Sequence, residues 1–325
     1  TKGESFYRGD LAKKIDQFSR KFGGYLTLSD LAQYKPEWVD PIKATYRGYD
    51  VWEMPPNGQG LVALMALNIL NGLTLDNNFP ADAYHKQMEA IKIAFAHGKK
   101  HITDPKHMTI DSSELLSEAY AMAGRKAITA CASLPPAVKP ESGGTVYLAT
   151  ADGEGNMVSY IQSNYMGFGS GLVVPGTGIS LHNRGISFSL DETHKNRFEP
   201  GKRPYHTIIP GFLTKDGRPI GPFGIMGAFM QPQGHVQLIV NMIDFKLNPQ
   251  AALDRLRWQW REGMTFDLEP GFPLHIAEEL IRKGHDIKMS FDATSFGRGQ
   301  VILRQENGVF VGGTDGRADS SIAAW

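Results

Sequence analysis

Apolar side chains at Leu11, Ile15, Phe18 and Phe22 recur at helical spacing and Gly23-Gly24 follows, so residues 6–22 predict one amphipathic helix. "TLSDLAQY" predicts a short helix capped by Ser29 or Asp30. "IKATYRGYDVWEMPP" mixes β-branched and aromatic residues around a glycine and predicts paired strands. Residues 57–73 are apolar on most faces, which predicts a deeply buried helix starting after Gly60, and the amphipathic stretch 82–101 predicts a second helix. Residues 132–144, "ASLPPAVKPESGG", hold three prolines and two glycines with no apolar period, the composition of an exposed connector. Beyond it the pattern turns β-rich. Strands are expected at 145–151 and 157–163 about "DGEGN", and near 207–213 and 219–226 about "KDGR". Asn248-Pro249 opens a helix ahead of "QAALDRLRWQW", Pro273 to Lys283 forms another before Gly284, and Asn307-Gly308 turns a last hairpin. Helices first, then strands with intercalated helices, predict a layered mixed α/β fold in one structural unit without internal repeats.

Composition narrows the class of partner. The 325 residues are 41% hydrophobic, ample for a core, and 34 basic residues balance 34 acidic ones. With no net field the chain has no electrostatic pull toward nucleic acid or an anionic membrane, so a small molecule is the expected partner. No apolar run reaches the roughly 18 residues of a membrane helix, and the opening "TKGESFYRGD" carries no hydrophobic signal region. One cysteine, Cys131, excludes an internal disulfide and a cysteine-based zinc cluster and leaves the compartment open.

Most chemical candidates reduce to plain structure. His97 and His101 stand one helical turn apart, but "HGKKH" lacks the glutamate of a zinc-protease helix and its lysines repel a cation. "GFGSG" at 167–171 has no following Lys-Ser/Thr or helix and is expected to be tight turns rather than a phosphate loop. No Gly-x-Ser-x-Gly elbow supports a serine triad, although His206 in "KRPYHTIIP" sits among apolar residues and is kept as a candidate.

Thr145, in "ESGGTVYLATADGEGN", has two readings. It is the first residue of an ordinary strand, or a cut between Gly144 and Thr145 makes it a new N-terminus. A threonine hydroxyl needs an adjacent base to become a nucleophile, and a free α-amine on the same residue, titrating near 7.7–8.0, is such a base. Gly144 gives the backbone freedom for the hydroxyl to reach the preceding carbonyl.

A series of collinear blocks bears on that choice: "FYRGDLAKKI", "GGYLTLSDLAQYK", "YRGYDVWEMPPNGQG" and "ITDP", then "TVYLATADGEGNMVSYIQS", "GFGSGLVVPGTGISLHN", "PGKRPYHTIIP", "MGAFMQPQGHVQ" and "GGTDGR". Through them the chain resembles the γ-glutamyltranspeptidase family, N-terminal-nucleophile hydrolases that mature by cutting before a threonine. The resemblance implies a four-layer αββα sandwich, with 1–144 the end of a large subunit and 145–325 the small subunit, both from one precursor. It places Thr145 as nucleophile, Ser163 as the hydroxyl that orients it, and Gly227 and Ala228 as the backbone oxyanion pair. No metal or organic cofactor is required by such chemistry, and the partner is a small amide or γ-glutamyl compound, with a homo-oligomer open.

Departures from the family pattern bear on the substrate. Where transpeptidases hold a glutamyl ammonium with acidic and amide side chains, this sequence has Tyr165, Arg184 and Ser187, and a Ser-Ser pair becomes His206-Thr207. Loss of a carboxylate and gain of a cation disfavour an ammonium and favour an anionic or neutral acyl group. The segment from Ser189 to Pro204 is short for a lid, and the family's longer stretch before "FYRG", with its substrate-binding arginine, is not part of this sequence. The expected activity is hydrolysis or transfer at an amide or γ-glutamyl bond through an acyl-enzyme on Thr145, with an acylase or oxamate-type amidohydrolase without γ-glutamyl transfer, the branch these departures resemble, as the alternative. A non-catalytic relative is the alternative from another class. The plain readings of the side chains are a solvent-facing strand residue for Ser163 and a surface ion-pair partner for Arg184.

Overall fold

The computed structural model describes residues 2–135 and 144–325. The chain opens with helices α1 (Glu4–Tyr7), α2 (Asp10–Lys21) and α3 (Leu28–Gln33), followed by the hairpin β1 (Ile42–Tyr46) and β2 (Tyr49–Glu53). Helices α4 (Gly60–Asn71), α5 (Pro80–His101), α6 (Ser112–Leu115) and α7 (Glu118–Ala127) come next. The second half contains β3 (Gly144–Ala151), β4 (Met157–Tyr165), β5 (Val173–Val174), β6 (Ile179–Ser180), β7 (Gly211–Lys215) and β8 (Arg218–Met226). It closes with α8 (Met230–Ile243), α9 (Pro249–Asp254), β9 (Trp258–Glu262), β10 (Thr265–Leu268), α10 (Leu274–Arg282), β11 (Asp286–Met289), β12 (Arg298–Arg304) and β13 (Phe310–Thr314).

Six strands form the central sheet in the order β1-β2-β7-β8-β12-β13, antiparallel throughout. Helices α4 and α8 pack on one side, with α5 against both of them. Because α4 is covered on every side, its residues from Leu61 to Leu67 are all buried, as an apolar helix without a polar stripe requires. Hairpin β3–β4 lies against β8 and β12 from the other side. The two sheets come close because Gly224 has no side chain: a Cβ there would fall 2.4 Å from the ring of Tyr147. Tyr147, buried between the sheets, shares a hydrogen bond with Ser159 Oγ at 2.8 Å. Helices, sheet and facing hairpin are three of the four layers expected of the αββα sandwich.

Several local expectations are corrected. The helix expected over 6–22 is two helices, because Gly9 takes an extended backbone between α1 and α2. The cap of α3 is Thr27, not Ser29 or Asp30; Asp30 instead supplies the return bond of a capping box, accepting from Thr27 N at 2.8 Å. Helix α8 sits where no helix was expected. The connector expected at 132–144 lies outside the described residues from 136 to 143. Asn248 caps α9 through Ala251 N as expected, but the helix ends at Asp254 and Trp258–Glu262 is β9; the strand expected near 207–213 begins only at Gly211, and Gly308 turns the last hairpin at φ +85°. Among the described residues no helix is long and apolar enough to cross a membrane.

Candidate active site

The first residues of β3 hold the site together. Gly144 pairs with Tyr165 and Val146 with Gln162, so Thr145 alone faces Ser163 and Asn164 across a bulge. Ser163 Oγ donates to the Gly144 carbonyl at 2.6 Å and accepts from Tyr165 N at 2.8 Å. Ser163 is thus a half-buried group bound to the peptide that precedes Thr145, and the solvent-facing reading is excluded. A Cβ on Gly144 would lie 3.2 Å from Gly167 N, so a glycine lets the two backbones approach. Gly167, Gly169 and Gly171 all have positive φ, which is the tight-turn geometry expected of "GFGSG".

At the end of β8 the chain turns sharply into α8. Gly227 has φ +138° and Ala228 φ +49°, and their carbonyls accept from Met230 N and Gln231 N. Among the described residues neither the Gly227 nor the Ala228 N–H has a backbone acceptor, leaving two adjacent donors unspent. The turn is buttressed from behind. A Cβ on Gly227 would stand 3.2 Å from Gly297 Cα, and Arg257 Nη1 fixes the Phe296 and Gly297 carbonyls at 3.0 and 2.9 Å. Arg257 is itself held by Asp315 at 2.6 Å, and Asp315 also accepts from Gly299 N.

Arg184 is buried, which removes the surface ion-pair reading. Its Cζ lies 4.9 Å from the centre of the Tyr165 ring, and Nη1 donates to Thr207 Oγ1 at 2.5 Å. Nε and Nη2 are buried without a partner, and Ser187 Oγ is in the same condition. Burial brings the Arg184 pKa down to about 10, with the Tyr165 hydroxyl acting weakly in the other direction. His206 lies next along the strand-like segment, where burial, then the charges of Arg184 and His182, lower its pKa to about 3, so it is a neutral imidazole near pH 7. Buried guanidinium N–H groups with no acceptor are costly, and a ligand oxygen is what relieves that cost.

Gln59 is the brace that sequence reasoning did not single out. Its Nε2 donates to both the Thr207 carbonyl at 2.7 Å and the Ala228 carbonyl at 2.8 Å, and its Oε1 accepts from Tyr205 OH. One fully buried amide therefore ties the segment carrying His206 and Thr207 to the turn carrying Gly227 and Ala228. Its signal was present in the block "PPNGQG", but its partners lie far along the chain. The sequence-predicted residues consequently form a connected set, running from Gly144 and Thr145 through Tyr165, Arg184, Thr207 and Gln59 to Ala228.

Metal-ligand types gather elsewhere. His97 and His101 stack at 6.3 Å, and His97 Nδ1 is taken by Tyr120 OH. Among the described residues His85, Glu89 and His285 come within ligand distance of one another. Glu89 is paired with the Lys92 ammonium at 2.5 Å, while His85 bonds His285 and the Thr129 carbonyl, each at 2.8 Å. Lys92 and Glu89 also hold Ser133, so the cluster clamps residues 129–133.

Comparison with known proteins places these observations in a family. The family model described as Gamma-glutamyltranspeptidase matches residues 1–325. The chain is 36% identical to the glutathione hydrolase-like YwrD proenzyme of Bacillus subtilis, covering 98% of this chain and 62% of that protein. It is 34% identical to the oxamate amidohydrolase proenzyme of Klebsiella pneumoniae, over 99% of this chain and 62% of the relative. The crystal structure of cephalosporin acylase from Bacillus halodurans superposes with a TM-score of 0.95 at 60% identity, covering 99% of this chain and 60% of that one. The chain thus spans about three fifths of the length of these relatives.

Proposed function

The chain belongs to the gamma-glutamyltranspeptidase family, and from that premise we propose that it is an autoprocessing amide hydrolase whose nucleophile is Thr145. The reading rests on one observation above all: the Gly144 carbonyl is already gripped by a hydroxyl, on a bulge that isolates Thr145. Residues up to Gly144 would become the end of a large subunit, and residues from Thr145 the small one.

Maturation and turnover use the same parts. Thr145 Oγ attacks the Gly144 carbonyl carbon, and Ser163 O–H stabilises the negative charge that develops on its oxygen. Collapse breaks the C–N bond, protonates the Thr145 nitrogen and leaves an ester, which water hydrolyses to a Gly144 carboxylate and a free Thr145. In turnover the freed amine takes the hydroxyl proton as Thr145 Oγ attacks a substrate amide. The unspent Gly227 and Ala228 N–H groups bind the oxyanion, the amine returns its proton to the leaving nitrogen, and water releases the acyl group.

Arg184 points to the acyl class. An unpaired buried guanidinium beside a neutral His206 and an unpartnered Ser187 hydroxyl suits an acyl group with a carboxylate or a second carbonyl, and penalises an ammonium. The relatives carry both kinds of name, glutathione hydrolase-like beside oxamate amidohydrolase and cephalosporin acylase, so the preference for this acyl class rests on the surroundings of Arg184. The test is mass spectrometry of the full-length protein and its Thr145→Ala variant. Wild type should yield a smaller fragment beginning at Thr145 and hydrolyse acyl anilides, while the variant stays one inactive chain. A variant that is cut and active overturns the proposal.

A further inference from the structure

We propose that Gln59, at the head of α4, is a positioning residue for turnover: its side-chain amide fixes the direction in which the oxyanion turn presents the Ala228 N–H. The inference rests on the acyl-enzyme reading above and adds to it a residue from the other side of the cleavage point in sequence.

The turn needs a hold from outside. Ala228 has φ +49°, a left-handed backbone that a residue with a Cβ keeps only where its surroundings over-determine it. The peptide before Ala228, which carries its N–H, is fixed through the Gly227 carbonyl by Met230 N at 2.9 Å. The peptide after it is fixed through the Ala228 carbonyl, which accepts from Gln231 N at 3.1 Å and from Gln59 Nε2 at 2.8 Å. Of these two donors, Gln59 is the one that comes from outside the turn. Its own base is firm: Gln59 is fully buried, its N–H donates to the His206 carbonyl at 3.0 Å, and it opens α4, whose residues from Leu61 to Leu67 are all buried. Two carbonyls accept from Nε2 and the Tyr205 hydroxyl donates to Oε1 at 3.1 Å, so the amide has one satisfied orientation.

Loss of this brace falls on the turn rather than on the acyl segment. The segment keeps other ties: His206 N donates to the Asn57 carbonyl at 2.9 Å, Arg184 Nη1 to Thr207 Oγ1 at 2.5 Å, and Ile209 N to Gln231 Oε1 at 3.1 Å. Among the described residues the Ala228 carbonyl then keeps the Gln231 bond alone. An Ala228 N–H that swings away from the oxyanion weakens the transition state and leaves the ground-state acyl contacts intact, so the effect belongs in kcat rather than KM. Maturation as proposed uses Ser163 and not this turn, so it is insensitive to Gln59. General loss of structure would not separate the two reactions in this way.

The experiment follows maturation of the full-length precursor, then steady-state hydrolysis by the matured protein of whichever of acetyl, glutaryl and γ-glutamyl p-nitroanilide the wild type turns over best, with rates per active site. Gln59→Met keeps the length of the side chain and removes both donors. It should mature within about threefold of the wild-type rate, lose roughly 10- to 100-fold in kcat and change KM by less than about threefold. Gln59→Glu keeps the shape and the acceptor for Tyr205 but cannot donate to both carbonyls at once, so it should lose kcat in the same way; should Gln59→Met fail to fold, this variant decides. If wild type neither matures nor hydrolyses any of the three, the Thr145 reading itself is wrong. If wild type is active and the variant matures with wild-type kcat, Gln59 positions nothing. A loss confined to KM, an equal slowing of maturation and turnover, or failure of both variants to fold also overturns the proposal, because each marks a role in binding or structure alone.

Discussion

Ser163→Ala isolates the contact on which maturation depends. The Ser163 hydroxyl is 2.6 Å from the Gly144 oxygen, where charge develops as Thr145 attacks, and alanine removes that donor without adding volume. Loss of a single oxyanion donor costs about 10²–10³ in rate, so a precursor that matures in minutes should need many hours. The same substitution leaves Tyr165 N without its acceptor at 2.8 Å, a stability cost of roughly 1–3 kcal/mol for a buried donor. These effects separate because one is a rate and the other an equilibrium. The assay is gel densitometry of purified precursor over time, with the new terminus sequenced, alongside urea unfolding of the same sample. Ser163→Thr keeps the hydroxyl and should mature within about tenfold of wild type. A Ser163→Ala precursor that folds and matures at the wild-type rate would refute the role of this contact.

Three further outcomes follow from the geometry. Ala228 sits at φ +49°, where a Cβ costs about 1 kcal/mol, so Ala228→Gly should raise unfolding stability by about that much with kcat nearly unchanged; a large loss of kcat would show that more than the backbone matters. Asp315→Asn leaves Arg257 buried without its counter-charge and should cost about 3–5 kcal/mol in urea unfolding, whereas a loss below about 1 kcal/mol would contradict the buttress. His206 and His285 have folded pKa values lowered to about 3 from 6.5, both chiefly by burial, so the unfolded chain binds more protons between those values. Stability is therefore full above pH 6.5 and falls toward pH 3 by up to about 1.4 kcal/mol per pH unit for each histidine; a His206→Gln, His285→Gln double variant with an equally steep slope would sink this account.

Legibility in the sequence follows the range of the interactions. Helices α4, α5, α9 and α10 and both late hairpins were readable because apolar period, a cap or a turn pair defines each locally. Helix α8 was not, since Pro232 and Gly234 read as breakers. Pro232 falls in the first turn, where its missing N–H costs nothing, and Gly234 is demanded by Ile225, which a Cβ would meet at 2.9 Å. The split at Gly9 is likewise decided by how α1 and α2 pack. For the site, His206 stood out by its apolar surroundings and Thr145 by the Gly144-Thr145 step, but Ser163, Gly227, Ala228, Arg184 and Thr207 were reachable only through a family resemblance, because nothing local distinguishes them. Gln59 was invisible for a sharper reason: its partners lie more than a hundred residues away.

The Ser163 contact also reconciles two roles that look exclusive. Resemblance assigns this hydroxyl to the Thr145 nucleophile, yet with the Gly144–Thr145 peptide intact it binds the Gly144 carbonyl. A hydroxyl has one proton to donate, so the roles must be consecutive. In the proposed maturation, cleavage turns the Gly144 carbonyl into a carboxylate at a free chain end, beside Gly167. Withdrawal of that end would release the Ser163 O–H, which lies across the bulge from Thr145. On this reading the cut both creates the amine and frees the Ser163 hydroxyl, and an uncut chain is inactive for two independent reasons.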